Sequence, residues 1–179
     1  MTTKIGIWRG LLQIAVLVCG LTIPSMYANA SCTRPSLDAK LRNAFPGWHI
    51  VNLKDLRLDD RNIWVKQRAA YCPGFLQGHF ESATRETYAI TVFEESDGLR
   101  QMLLVANQNL GKYEISVLNG PQKVAYLSVI SKVFPGEYSN TDGEKFKLSR
   151  EAISYEAIEA GSLLYYFQNG KYKVETVSE

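Results

Sequence analysis

At Pro73-Gly74 the hydrophobic pattern of this 179-residue chain changes period, and that switch limits the fold more than any other feature. Before it, apolar residues recur at helical spacing. After it, they alternate along short runs separated by glycine, asparagine and aspartate turn signals. Leu37, Leu41, Ala44 and Phe45 fall at i, i+4, i+7 and i+8 behind Ser36, a residue suited to cap a helix, and Pro46-Gly47 stops the run. Trp48, Ile50 and Leu53 predict a short extended piece. A second helix is expected from Asp59 or Asp60, whose carboxylates suit a helix N-terminus, through Ile63, Trp64 and Arg68 towards Cys72.

Beyond the switch, residues 75–80 and 88–93 read as strands, the second with Tyr88, Ile90 and Val92 on one side and Ala89, Thr91 and Phe93 on the other. Asp97-Gly98 is a turn signal, and residues 101–106 continue the sheet. Tyr113, Ile115 and Val117 lead to Asn119-Gly120, a hairpin signal. Residues 123–133 fit a strand or a short helix, and residues 135–143 mark a loop. The runs 163–168 and 171–177 flank Asn169-Gly170, a two-residue turn of the type I′ kind. That turn sets Phe167 opposite Tyr172 and Tyr165 opposite Val174 on a core face, with Tyr166 and Lys173 paired on the outer one. The expected fold is α+β: two N-terminal helices packed on a mainly antiparallel β-sheet that ends in a β-hairpin, in a single domain over residues 31–179.

Residues 1–30 read as a signal peptide. Lys4 and Arg9 supply a positive start, an apolar stretch runs over residues 11–23, Pro24 and Ser25 break it, and Ala28-Asn29-Ala30 offers small side chains for cleavage. The stretch falls short of the roughly 20 apolar residues a membrane span needs. The expected location is therefore periplasmic or secreted. Of 20 Lys+Arg and 18 Asp+Glu, the peptide removes two basic residues and no acidic one, so the remainder is formally neutral. A neutral chain that is 46% hydrophobic is not a disordered polymer, and it offers no electrostatic ground for nucleic acid or, after cleavage, a membrane as partner.

Cys19 leaves with the peptide, and Cys32 with Cys72 remains. In an oxidising compartment the pair is expected to form one disulfide. Closing a loop of about 40 residues stabilises a fold by about 4 kcal/mol in the chain-entropy treatment.

No nucleophile elbow, P-loop, HExxH or dinucleotide fingerprint occurs, so no catalytic residue, metal site or cofactor is expected. The two histidines, His49 and His79, read as packed or surface residues and not as general bases. Asp59-Asp60 reads as a helix-start pair, and Glu94, Glu95 and Asp97 as a solvated edge.

The stretch from Gly78 through Phe80, Glu81, Thr87 and Tyr88-Ala89-Ile90 resembles the FG-GAP/VCBS loop, G-D-F-D-G-D-G-x-x-D-Y-A-hydrophobic. That resemblance implies strand–loop–strand around a calcium site, but the acidic positions here read His79, Glu81, Ala83 and Thr87, and Glu81 alone keeps a carboxylate. Calcium needs six to eight oxygens, so the ligand set is expected to be lost. More widely, Phe45-Pro46-Gly47-Trp48, Cys72-Pro73-Gly74 with Gly78 and Phe80, and Tyr165-Tyr166-Phe167 before Asn169-Gly170-Lys171 resemble a set of small exported bacterial proteins without assigned function. Motifs of glycine, proline and aromatics transmit a fold more than an activity.

The functional expectation is a periplasmic protein-binding module, such as an inhibitor or immunity protein against a cell-wall-directed toxin or lysozyme. Its partner is a protein, with Tyr138 and Tyr166 as contact residues. The alternatives are a periplasmic hydrolase with an unrecognised site, and an accessory envelope, secretion or small-ligand-binding protein. Export is testable directly: N-terminal sequencing of the protein from the periplasmic fraction should begin at Ser31, and a membrane-bound chain starting at Met1 would refute it.

Overall fold

The computed structural model describes residues 32–68 and 71–177, so the expected signal peptide lies outside the described residues. The chain opens with α1 (Pro35–Ala44), β1 (His49–Ile50), a 3-10 turn (Leu53–Asp55) and α2 (Leu58–Arg68). Strands follow: β2 (Phe75–Gly78), β3 (Thr87–Glu94), β4 (Arg100–Asn109), β5 (Lys112–Lys123), β6 (Val129–Val133), β7 (Gly136–Ser139), β8 (Lys145–Leu148), β9 (Ala152–Ala157), β10 (Gly161–Gln168) and β11 (Lys171–Val177).

These strands form three antiparallel sheets. In the first, β3 pairs with β4, which pairs with β5. The other side of β3 is shared, with β2 on residues 87–90 and β1 on residues 92–93. The second runs β11-β10-β9-β6, and the third is the β7–β8 hairpin.

This arrangement overturns the expected α+β fold of two helices on one sheet. The described chain is mainly β, and its two helices, 10 and 11 residues long, bury only Leu37, Leu41, Asp60 and Trp64. Most of the core lies between and around sheets. Leu37 and Leu41 of α1 pack with Tyr88, Ile90, Val92, Met102 and Leu104 on one face of the first sheet. On its other face Ala89, Leu103 and Val105 meet Ile130, Ile153, Tyr155 and Tyr165 of the second sheet. The far face of the second sheet, with Ala152, Leu164 and Tyr166, is covered by Leu148, Tyr138 and Phe146 of the β7–β8 hairpin. Strands β3, β4 and β9 are thus buried on both faces. Each fully buried Leu, Ile, Val or Phe contributes roughly 1.5–3 kcal/mol, which makes sheet–sheet contact the main source of stability.

Several local expectations change for identifiable reasons. Helix α1 starts one residue before Ser36: Arg34 is the cap, without a side-chain bond, and Pro35 takes the first helical position that its fixed φ suits. Asn119-Gly120 is not a hairpin turn but lies inside β5, where the register with β4 shifts on either side of Leu103. Gly120 has φ +93° there, and a Cβ on it would fall 2.5 Å from the Gln101 carbonyl oxygen. The connection from β4 to β5 is made by Leu110-Gly111 instead. Residues 123–133 contain no helix, only the end of β5 and then β6. The expected loop at 135–143 holds β7, whose partner β8 follows it.

The disulfide forms as expected, Cys32 to Cys72 with Cα atoms 5.8 Å apart. The last hairpin also has the expected register, with Tyr165 opposite Val174, Tyr166 opposite Lys173 and Phe167 opposite Tyr172. Its faces are different from expectation. Tyr166 is only 8% exposed and stacks on Phe146, ring centroids 5.6 Å apart. Tyr165 is buried as foreseen, its hydroxyl accepting from Asn119 Nδ2 at 2.7 Å, whereas Phe167 is half-buried. Tyr166→Ala should therefore lower the unfolding free energy by about 3 kcal/mol. A loss in urea titration within about 0.5 kcal/mol, the usual range for a surface substitution, would show that the β7–β8 cover is not seated.

Candidate functional site

Of the residues singled out for partner contact, neither stands free. Tyr138 sits in β7, half-buried, its ring 6.2 Å from Phe146 and its hydroxyl donating to the Phe134 carbonyl at 2.8 Å. Tyr138 and Tyr166 therefore both pack against Phe146 as parts of one cluster. His49 is exposed, 6.0 Å from the Phe93 ring, and His79 lies half-buried in the loop after β2 with its Nδ1 buried and making no hydrogen bond.

β2 and β3 pair antiparallel on either side of the loop at residues 79–86. Its polar groups are used to fasten it. Glu81 accepts from Asn107 Nδ2 at 2.9 Å, and Arg150 donates to the Glu81 carbonyl at 3.0 Å. Glu151, just before β9, accepts from the backbone N–H of His79 at 2.6 Å and from Lys132 Nζ at 2.9 Å. Burial alone would push the Glu151 carboxyl up, but the His79 N–H and the Lys132 ammonium outweigh it and hold the group below the usual carboxylate range. The Tyr172 phenol, buried and beside the Glu81 charge, is pushed upward. On the other side of the same loop Glu86 accepts from Gln77 Nε2 at 2.6 Å and from the Tyr88 hydroxyl at 3.1 Å, and it pairs with Arg34 at 3.3 Å. Burial, then the bond to Glu86, raises Tyr88 to about 12. Among the described residues, no three His, Cys, Asp or Glu side chains gather into a metal-binding group. These contacts tie the loop to both main sheets.

A different face presents organised groups to solvent. The 3-10 turn is closed by a reciprocal cap between Asn52 and Asp55, the Asn52 N–H donating to Asp55 Oδ2 at 2.8 Å. Arg61 of α2 donates back to the carbonyls of Leu53, Lys54 and Leu56 at 3.0, 2.7 and 3.1 Å, so helix and turn move as one piece. Trp64, Leu56, Val51, Leu127 and Val129 anchor that piece from below. On top, Arg57 grips Asp60 with two bonds, Nε at 2.8 Å and Nη2 at 3.1 Å, and this grip raises its pKa further. Its guanidinium lies 3.9 Å from the centroid of Tyr126, which is 51% exposed, and Leu58 beside it is 67% exposed.

Tyr126 comes from the segment between β5 and β6, and a buried amide fixes that segment. Gln101, fully buried in β4, donates from Nε2 to the Ser128 carbonyl at 2.6 Å and accepts from the Ser128 N–H at 2.8 Å. A primary amide matched to both backbone groups of one residue leaves no unpaired polar atom between them. Further along α2, a cleft of about 280 Å³ is lined by Ile63, Trp64, Lys66, Arg68, Glu156 and Ile158. Arg68 and Glu156 form an ion pair at its base, with Glu156 3% exposed. The indole of Trp64 is buried and donates to the Tyr71 carbonyl at 3.0 Å, so it offers no stacking face.

Compared with protein-family models, curated proteins and solved structures, the chain matches none of them.

The Arg57–Tyr126 pair was not legible in advance. Its members are far apart in sequence, and Tyr126 falls in the window whose period was ambiguous. The signal that existed was composition: a lone tyrosine in a segment otherwise able to fold.

The Glu151 contacts carry a pH consequence. A carboxyl whose folded pKa is depressed contributes stability above its unfolded pKa and loses it as pH falls through the folded value. Denaturant unfolding followed from neutral pH downward should show wild type losing part of its margin below about pH 4.5, the ordinary carboxylate value. Glu151→Gln should start lower at neutral pH and lose less on acidification. Parallel curves for the two proteins would contradict this account.

Proposed function

We propose that this chain is an exported protein-binding module, of the inhibitor or immunity type, acting in an oxidising compartment. The observation that carries this reading is the Arg57–Tyr126 stack: a large exposed aromatic and an arginine already held in place by Asp60 and by the clamped turn. Interface hot spots favour Tyr, Trp and Arg. Side chains ordered before binding lose little rotamer freedom on association. The disulfide supports the compartment, since such bonds persist outside the reducing cytosol. The contact residues shift accordingly from Tyr138 and Tyr166 to Arg57, Leu58 and Tyr126. A second reading, a small-ligand binder, rests on the cleft along α2, whose buried charges are already satisfied by each other.

Tyr126→Ala should leave the unfolding midpoint nearly unchanged, because half of the side chain is in water. Its affinity for a partner recovered from the periplasmic extract should fall by about thirtyfold, a loss of about 2 kcal/mol. Undiminished binding by both Tyr126→Ala and Arg57→Ala would remove this face from the interface.

A further inference from the structure

The tip of the β4–β5 hairpin carries a residue that neither packing nor turn geometry accounts for. Leu110 is 96% exposed. Its φ is +48°, in the left-handed region, and Gly111 follows at +78°. In that region the Cβ of an L-residue crowds the following carbonyl, and asparagine or glycine relieves the cost.

The same protein contains the relaxed version. Its other two-residue hairpin places Asn169 at φ +54° and Gly170 at +80°, nearly identical backbone with asparagine where the first turn has leucine. Glu159, the remaining described non-glycine residue in this region, is polar. Leu110 is thus an apolar side chain held in a strained conformation, gaining no burial in return. Residues 109–112 are all exposed, while the next residue, Tyr113, is already in the core, so the tip stands clear of the body. Asn109 and Lys112, paired across the turn, flank it with an amide and a cation.

We infer that Leu110 is an insertion knob: the hairpin tip seats this leucine in an apolar pocket on a protein partner. That pocket would have a hydrogen-bonding rim for Asn109 and an acidic group for Lys112. A strained non-glycine residue is retained where the surroundings or the function demand it, and here no surroundings touch it. A protein pocket fits better than a lipid surface. One leucine buries far fewer methylenes than a single myristoyl chain, which by itself holds a protein on a bilayer only marginally. This inference rests on the binding-module reading but names a different surface, at the opposite end of β5 from Tyr126.

The test uses the full-length exported protein with a photocrosslinking amino acid at position 110, at position 126, or at position 142, an exposed loop position used as control. Each adduct is challenged with excess purified wild-type, Leu110→Asn or Tyr126→Ala protein. The expected result is an adduct from position 110 and none from 142. Wild type should suppress it at a concentration at least tenfold below that needed with Leu110→Asn. Leu110→Asn itself should melt about 2–4 °C higher than wild type, since relieving about 1 kcal/mol of strain shifts a protein of this size by that much. Equal competition by Leu110→Asn, no adduct at 110, or no rise in melting temperature would overturn the knob. So would sedimentation of wild type, but not Leu110→Asn, with phosphatidylethanolamine–phosphatidylglycerol vesicles. If the knob fails while position 126 still gives an adduct that Tyr126→Ala cannot displace, the binding-module reading stands alone. Adducts from neither position would remove both.

Discussion

The N-terminal segment and both main sheets are joined at Cys72-Pro73-Gly74. The alpha carbon of Gly74 lies so close to the segment after β1 that a Cβ would sit 2.4 Å from the Val51 carbonyl oxygen and 2.8 Å from its nitrogen. Both contacts are backbone, so neither can swing aside. That approach lets two short segments share one edge of β3. The Val51 N–H donates to the Thr91 carbonyl and the Thr91 N–H to the Gly74 carbonyl, both at 3.0 Å. One residue earlier, the Pro73 carbonyl accepts from Ile130 of β6 at 2.8 Å, which brings the second sheet against the first. One residue earlier again, Cys72 is bonded to Cys32 ahead of α1. Three consecutive residues therefore fix an N-terminal segment, both main sheets and the start of the strand-rich region. The individual backbone bonds contribute only about 1 kcal/mol each; the disulfide, closing a loop of about 40 residues, contributes about 4 kcal/mol. A side chain at position 74 would meet the Val51 backbone directly and force the segment after β1 away from Gly74.

What could be read from the sequence depended on whether the deciding interaction was local. The final hairpin has the expected register because Asn169-Gly170 dictates it from within. The cysteine pairing followed because Cys32 and Cys72 are the two cysteines outside the expected signal peptide. The fold class was misjudged because α1 and α2 have clear periodicity but each buries one narrow stripe, whereas the β7–β8 hairpin looks polar and loop-like and yet roofs a whole sheet face. Strand β3 shows the same difficulty from the other side. Tyr88, Ile90 and Val92 enter one core, Ala89 another and Phe93 a third, so its alternation sorts residues among cores and not between core and water.

The face of Tyr166 was misjudged for this reason. Tyr166 pairs with Lys173 across the hairpin as expected, and an exposed lysine there suggested a solvent face. The lysine reaches water because β11 is the sheet edge, while one strand inward Tyr166 is under Phe146. Tyr126, in contrast, belongs to a segment whose conformation is set by a glutamine from another strand through the Ser128 backbone. No local pattern encodes a clamp made by residue 101 on residue 128.

Polar chemistry in this protein is largely consumed in holding it together. Gln101 pins the β5–β6 connection, Glu81 and Glu151 hold the loop after β2, and Glu86 ties that loop to Gln77, Tyr88 and Arg34. A carboxylate that already accepts two or three in-chain bonds is a poor general base, because its lone pairs are occupied and its charge is stabilised. What remains are groups whose position is fixed by the fold but whose surface faces water. Arg57 meets that description through Asp60 and the Arg61-braced turn. Leu110 meets it through a backbone that asparagine would adopt at lower cost, as Asn169 does elsewhere in the same chain. Arg57 is held by Asp60 and Tyr126, whereas Leu110 gains no burial for its left-handed backbone.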